Sequence, residues 1–229
     1  MVLLLAFACV KAPPSPESGL RGDSGDDTAA ELGPSPCGVY SGVRRVGSTW
    51  NDVPTADYEA RFGWTGTSTT KVTGLDDTVT LHTLARFSGS EGSFDLDRTE
   101  TWRCDERGAW WLRSDATTTA HSGTSTVENH GVRDFSPGWL VRPVELVVSD
   151  AWSDTFSVTM VLNDGAPSTS EAACTSTVAA EETLALALGA LPTRRINVDC
   201  IGVSSEIWWL AENVGLAADE DIQLVSYVR

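Results

Sequence analysis

Residues 37–229 predict an antiparallel all-β fold, on three observations. Apolar side chains recur at every second position through several short runs. Threonine fills many of the positions between them, which suits a pleated, half-exposed surface. Turn-forming clusters punctuate the runs at regular intervals. The architecture expected is a sandwich or curved half-barrel of antiparallel sheets, built from two related β-meanders at 37–140 and 141–229, with little helix.

The chain begins with Leu3-Leu4-Leu5-Ala6-Phe7-Ala8-Cys9. This run resembles the end of a bacterial lipoprotein signal peptide, the lipobox. Leu5, Ala8 and Cys9 match it, and Ala6 sits where leucine is commoner. The resemblance implies cleavage before Cys9, with Val10 next, and lipid on the Cys9 sulfur. No Lys or Arg precedes the run, so a basic leader is expected upstream. The run is far shorter than the roughly 20 residues of a spanning helix. More than one acyl chain on a single residue makes anchoring stable. The expected location is therefore the bacterial cell envelope, on the periplasmic or outer-surface side.

Residues 10–36 are rich in Pro, Ser, Gly and Asp. Such a segment cannot bury enough apolar surface to offset its ordering entropy, and a flexible tether is expected. Its span is about 30 Å, from roughly 5–6 Å times the square root of its length. Arg21-Gly22-Asp23 spells an adhesion tripeptide, which a biased stretch supplies by chance. Asp23, Asp26 and Asp27 follow no calcium-loop spacing.

The body then alternates. Tyr58, Ala60, Phe62 and Trp64 share one parity, as do Val79, Leu81, Ala85 and Phe87, with His82 and Arg86 outward. Phe156, Val158, Met160 and Leu162 repeat the pattern, followed by Ile196, Val198 and Cys200 and finally Ile222, Leu224 and Val228. Turns are expected at Thr73-Gly74-Leu75-Asp76-Asp77, Ser88-Gly89-Ser90, Asp105-Glu106-Arg107-Gly108 and Asn163-Asp164-Gly165. Residues 181–191 carry good helix formers. Leu184, Leu188 and Leu191 fit a helix face, and Leu184, Leu186 and Leu188 fit a strand face. The early stop at Gly189 and Pro192 favours strand.

Two short patterns recur. Val46-Gly47-Ser48-Thr49-Trp50 has a counterpart in Val148-Ser149-Asp150-Ala151-Trp152, and Trp102 precedes Gly108 as Trp209 precedes Gly215. With the closing stretch Trp208-Trp209-Leu210-Ala211-Glu212-Asn213-Val214-Gly215-Leu216, this order resembles an uncharacterised family of β-rich bacterial exported proteins and lipoproteins. Their closing motif reads roughly W-Y-A-P-G-V-G-L-V. Leu210 replaces the Tyr here, and Glu212-Asn213 replaces Pro-Gly. The resemblance implies a fold distantly similar to lipoprotein-carrier half-barrels, whose curved sheet cups acyl chains. Fold alone does not fix function.

Formal net charge is −16, so a nucleic-acid partner is not expected. With Cys9 lipidated, Cys37, Cys104, Cys174 and Cys200 remain, an even set that predicts disulfides in an exported chain. Of three connectivities, Cys37–Cys104 with Cys174–Cys200 is favoured, since the second joins segments read as neighbouring strands. No C-x-x-C spacing points to a metal. His82, His121 and His130 read as surface residues.

For chemistry, the sequence has no nucleophile elbow, phosphate loop or dinucleotide fingerprint. Ser204-Ser205-Glu206 reads as strand edge. Asp95, Asp97 and Glu100 would serve a hydrolase only if set across a cleft. The nine tryptophans are the unusual feature. Trp110-Trp111 and Trp208-Trp209 each place one indole on either side of a sheet, and these four are the ligand-binding candidates. The function expected is a lipid-anchored, non-enzymatic exported domain of structural or interaction class, without cofactor or metal, whose membrane partner is reached through Cys9. The first alternative is a carrier or binder of a lipid or other hydrophobic ligand in an apolar cup. The second is a carbohydrate-binding or hydrolase-like domain using exposed Trp and Asp.

Overall fold

Twelve strands among the described residues, joined mostly by hairpins, close on themselves. The computed structural model describes residues 37–228 apart from Arg44, Val203 and Ser204. The expectations for Cys9, for the 10–36 tether and for Ser204 lie outside the described residues. The strands are β1 (Thr49–Pro54), β2 (Trp64–Leu75), β3 (Val79–Gly89), β4 (Gly92–Asp105), β5 (Gly108–Ser122) and β6 (Ser125–Pro143). They continue as β7 (Ala151–Leu162), β8 (Ser168–Leu186), β9 (Gly189–Ile201), β10 (Glu206–Ala211), β11 (Gly215–Asp219) and β12 (Ile222–Val228). Each pairs antiparallel with the next, and β12 returns to β1.

The sheet is thus a closed barrel rather than a sandwich or a half-barrel. Alternation looks the same in all three, because it reports only that each strand has a wet and a dry face. Closure depends on stagger and bulges, and it leaves no edge exposed.

The outside of the barrel is polar. Arg86, Asp95, Asp97, Arg113 and Asp134 lie there, and apolar side chains line much of the inside. Barrels that span bilayers have the reverse pattern. Among the described residues, no helix is long and apolar enough to cross a membrane, which says nothing of strands.

Several local readings change. Residues 58–62 belong to a helix, α1 (Ala56–Phe62), not to a strand. Thr55 caps it by accepting from the Tyr58 amide, and Gly63 ends it in the left-handed region. Those two caps were the signal, and the alternation of Tyr58, Ala60 and Phe62 masked it. In β12, Leu224 is buried but Val228 is 57 % exposed. Asn51 pairs with Ser226 and Asp52 with Leu224, so Val225 is an extra residue that flips the parity. Tyr227 therefore turns inward and stacks on Trp50. Residues 181–186 and 189–191 are strand, with Leu186 paired to Gly189 across a hairpin turn at 187–188.

The Val-to-Trp echo is a repeated turn. Gly47 donates its amide to Val72, Val72 donates to Ser48, and Ser48 donates to Arg45. Ser149 donates to Val178, Val178 to Asp150, and Asp150 to Val147. Gly47 and Ser149 both have positive φ, 96° and 80°. A bulge follows each paired valine, at Thr73 and at Ala179. Strands β1–β6 and β7–β12 each begin at such a turn, and the 140/141 division falls inside β6. The second echo does not keep its geometry. Two residues join β4 to β5 but three join β10 to β11, so a tryptophan six before the glycine faces in at Trp102 and out at Trp209. Trp208 is the inward equivalent of Trp102.

A barrel of twelve strands encloses more volume than one of eight, which side chains alone just fill. Large rings meet part of that demand. Trp111, Phe135, Trp139, Phe156 and Trp208 form one run of touching rings in the interior. Residues 37–43 seal one end, where Cys37, Tyr40, Ser41 and Val43 are all buried. Arg142 donates to the Ser41 carbonyl at 2.9 Å and Tyr227 to that of Gly42. Gly42 has φ 68°, and a Cβ there would overlap the Val214 carbonyl, so the seal needs glycine at that position. At the other end α1 packs Tyr58 against Ala85, Phe87 and Leu96.

Candidate functional site: the charged layer inside the barrel

Between the sealed end and α1, the inner face carries charge. Alternation sets this up on β4, where Leu96, Arg98, Glu100 and Trp102 share the inward parity and Asp95 and Asp97 the outward one. Glu100 is 7 % exposed, and its Oε1 lies 3.4 Å from Arg98 Nε. Arg142 on β6 is half-buried with its guanidinium over the Trp102 ring at 4.6 Å. Burial lowers its pKa to about 10, with Glu100 and Asp52 pulling the other way, so it stays protonated at neutral pH.

The acids respond oppositely. Asp52 on β1 is pushed up to about 7 by burial and then by Asp219, against the pull of Arg142 and Arg98. Asp219 also rises to about 7 through burial, although its Oδ1 accepts from the Asp221 and Ile222 amides at 2.8 Å each. Asp221 is raised to about 6 by burial and then by Glu220 and Glu206. Near neutral pH the layer therefore holds aspartates able to take up or release protons, beside arginines that are not.

The sequence-derived candidates are distributed as follows. Cys37 is bonded to Cys104 and Cys174 to Cys200. The first ties the sealing segment to β4, and the second joins a directly paired position of β8 and β9. Trp111 and Trp208 face in and join the ring cluster. Trp110 faces out but is only 7 % exposed, lying under the guanidiniums of Arg103 and Arg107 at 5.2 and 4.7 Å. Trp209 faces out half-buried and donates its Nε1 hydrogen to Glu182 at 3.2 Å.

Asp95, Asp97 and Glu100 are not brought together, because the first two are outside the barrel and the third inside. Asp95 pairs with Arg86 at 2.6 Å and Asp97 with His82 at 2.8 Å. His130 pairs with Asp115, also at 2.8 Å, and His121 lies 3.7 Å from Asp95. All three histidines thus lie against carboxylates on the outer face. Ser205 Oγ accepts from the Cys200 amide, and Glu206 accepts from Trp208 Nε1. Among the described residues, no group of three or more His, Cys, Asp or Glu could hold a metal.

Sequence reasoning missed Asp52, Arg98, Arg133, Arg142 and Asp219. A signal was present for one of them: Trp50-Asn51-Asp52 and Trp152-Ser153-Asp154 extend the repeated pattern by an inward acid. Asp154 also has its pKa raised by burial, against the pull of Arg107 and the Leu140 amide. Compared with protein-family models, curated proteins and solved structures, the chain matches none.

Proposed function

We propose that this chain is an exported, lipid-anchored β-barrel that binds rather than catalyses. The observation that carries the reading is the pair of disulfides, one closing the sealed end and one bridging β8 and β9. Such bonds form and persist in oxidising compartments. Acyl chains on Cys9 and a tether over 10–36 would then present the barrel beside a bacterial membrane. Its acidic, ion-paired outer surface suits display in water rather than burial in lipid. The separation of Asp95 and Asp97 from Glu100 by the thickness of the sheet argues against a carboxylate-pair hydrolase. The covered ring of Trp110 argues against sugar stacking at that position.

The test is mass spectrometry of the membrane-extracted full chain, with and without reduction. An acylated peptide beginning at Cys9 and two intact disulfides are expected. A free Cys9 thiol, or reduced cysteines in the native protein, overturns the reading.

One observation favours a second reading, a binder of a hydrophobic ligand. At the α1 end, Leu162 is 45 % exposed although it pairs with Gly131 on the inner face. Solvent thus reaches apolar lining there.

A further inference from the structure

Arg133 alternates with Phe135, which is buried in the ring cluster, and Asp134 between them pairs outward with Arg113. Arg133 therefore points into the barrel. It is nevertheless exposed, so the interior is wet at that level. Its guanidinium makes no ion pair or hydrogen bond with any described residue. Partly desolvated cations without a counter-ion are uncommon in protein interiors.

Register places the neighbours. Arg133 pairs with Ser114 on β5 and Met160 on β7. The next inward row toward the open end holds Arg98 on β4, Ala116 on β5, Gly131 on β6 and Leu162 on β7. Between the two arginines the floor is thus a methyl group and a hydrogen. Arg98 Nε is buried with no hydrogen-bond partner, its contact with Glu100 being too poorly placed to count as one. Burial and then the nearby Arg98 charge lower the pKa of Arg133, which places the two cations within electrostatic reach.

The charge count selects the ligand. Arg98, Arg133 and Arg142 face Glu100 and Asp52 in this layer, which leaves at least one positive charge unbalanced. A single negative charge suits that remainder, and a planar carboxylate matches the guanidinium fork. Ala116 presents only a methyl group, the Leu162 side chain lies over Gly131, and Met160 and Leu162 supply an apolar wall. We propose that Arg133 and Arg98 hold the carboxylate of an amphiphilic monoanion, its chain lying over Ala116 against Met160 and Leu162. This deepens the second reading above and rests on it.

Isothermal titration of the full chain with decanoate, 1-decanol and inorganic phosphate tests the site. Decanoate is expected to bind one to one, decanol about tenfold or more weakly, and phosphate without saturation, given the strength of charge-assisted hydrogen bonds. Arg133→Leu should weaken decanoate binding about tenfold. Ala116→Leu keeps both charges and should block the chain's path; it carries the test if Arg133→Leu does not fold by circular dichroism. Equal binding of decanol and decanoate removes the arginine site but leaves an apolar binder. Unchanged affinity in both variants, or phosphate binding more tightly than decanoate, overturns the site, and no binding by either amphiphile overturns the binder reading as well. The mass of the Cys9 peptide decides anchoring independently.

Discussion

The turn before Trp50 and the turn before Trp152 make the same three backbone hydrogen bonds, yet the strands that follow line the barrel differently. Strands β1–β6 turn Asp52, Arg98, Glu100, Arg133 and Arg142 inward. Strands β7–β12 turn Phe156, Val158, Val178, Ile196, Val198 and Leu210 inward, with Asp154 and Asp219 among them. Backbone hydrogen bonding and bulge position fix the course of each half, whereas the identity of an inward side chain is constrained only by volume and by its neighbours across the lumen. A repeated scaffold can thus keep its turns while both halves supply apolar filling and the first carries more of the inward charge.

The largest test of that contrast concerns the disulfides, one lying in each half. Cys37→Ser opens a link spanning 67 residues, and Cys174→Ser one spanning 26. Chain entropy gives losses of about 4 and about 3.5 kcal/mol. The first should exceed the second by more than this difference, because it also frees the segment sealing the barrel. Urea denaturation of each variant measures the gap, and equal losses would mean that the seal holds without its bond.

Next come the adjacent tryptophans. Trp208→Ala removes an inward ring and should cost about 3 kcal/mol. Trp209→Ala removes an outward one and should cost about 1 kcal/mol or less. Reversal of that order in denaturant midpoints would contradict the assignment of faces.

A smaller effect separates the two inward acids by pH. Asp52 and Asp219 have folded pKa values raised to about 7, above the ordinary aspartate value near 4. Their contribution to stability is fully present below the unfolded value and is lost as pH rises through 7. Each of these acids should cost the barrel about 2.5 kcal/mol between pH 5 and pH 8, and Asp52→Asn should remove roughly half of the combined slope. Asp154→Asn should flatten it less, since Asp154 is less buried. A stability curve rising from pH 5 to 8 would rule the assignment out.

The smallest prediction exploits the turn itself. Gly47 and Ser149 occupy equivalent positions with positive φ, where a side chain is strained. Ser149→Gly should stabilise by about 0.5–1 kcal/mol, and Gly47→Ala should destabilise by at least as much. Thermal melts of the two variants moving in the same direction would show that the turns are not equivalent.

Much of the strand pattern was legible because one face of each strand is dry. The alternation of Val79, Leu81, Ala85 and Phe87 in β3 survives intact, with Leu84 and Arg86 outside. The helix at Ala56–Phe62 was hidden, since seven residues show too little of a 3.6-residue period to outvote an accidental alternation. Arg98, Arg133 and Arg142 were not singled out, because a charged residue in a strand usually faces solvent. Only strict parity along β4 separates Arg98 and Glu100 from Asp95 and Asp97. The extra loop residue between β10 and β11 reversed Trp209 relative to Trp102, which a spacing counted to the glycine could not register.

By itself the sequence determined the class of structure, four of the hairpin positions and the cysteine pairing favoured for an exported chain, because periodicity, turn chemistry and strand adjacency are local properties. Closure into a barrel, the inward side of Trp208 and the placing of Arg98 and Arg133 in neighbouring inward rows were decided by the tertiary structure. Each depends on register between strands far apart in the chain, and a one-residue bulge or loop insertion changes which face a side chain occupies.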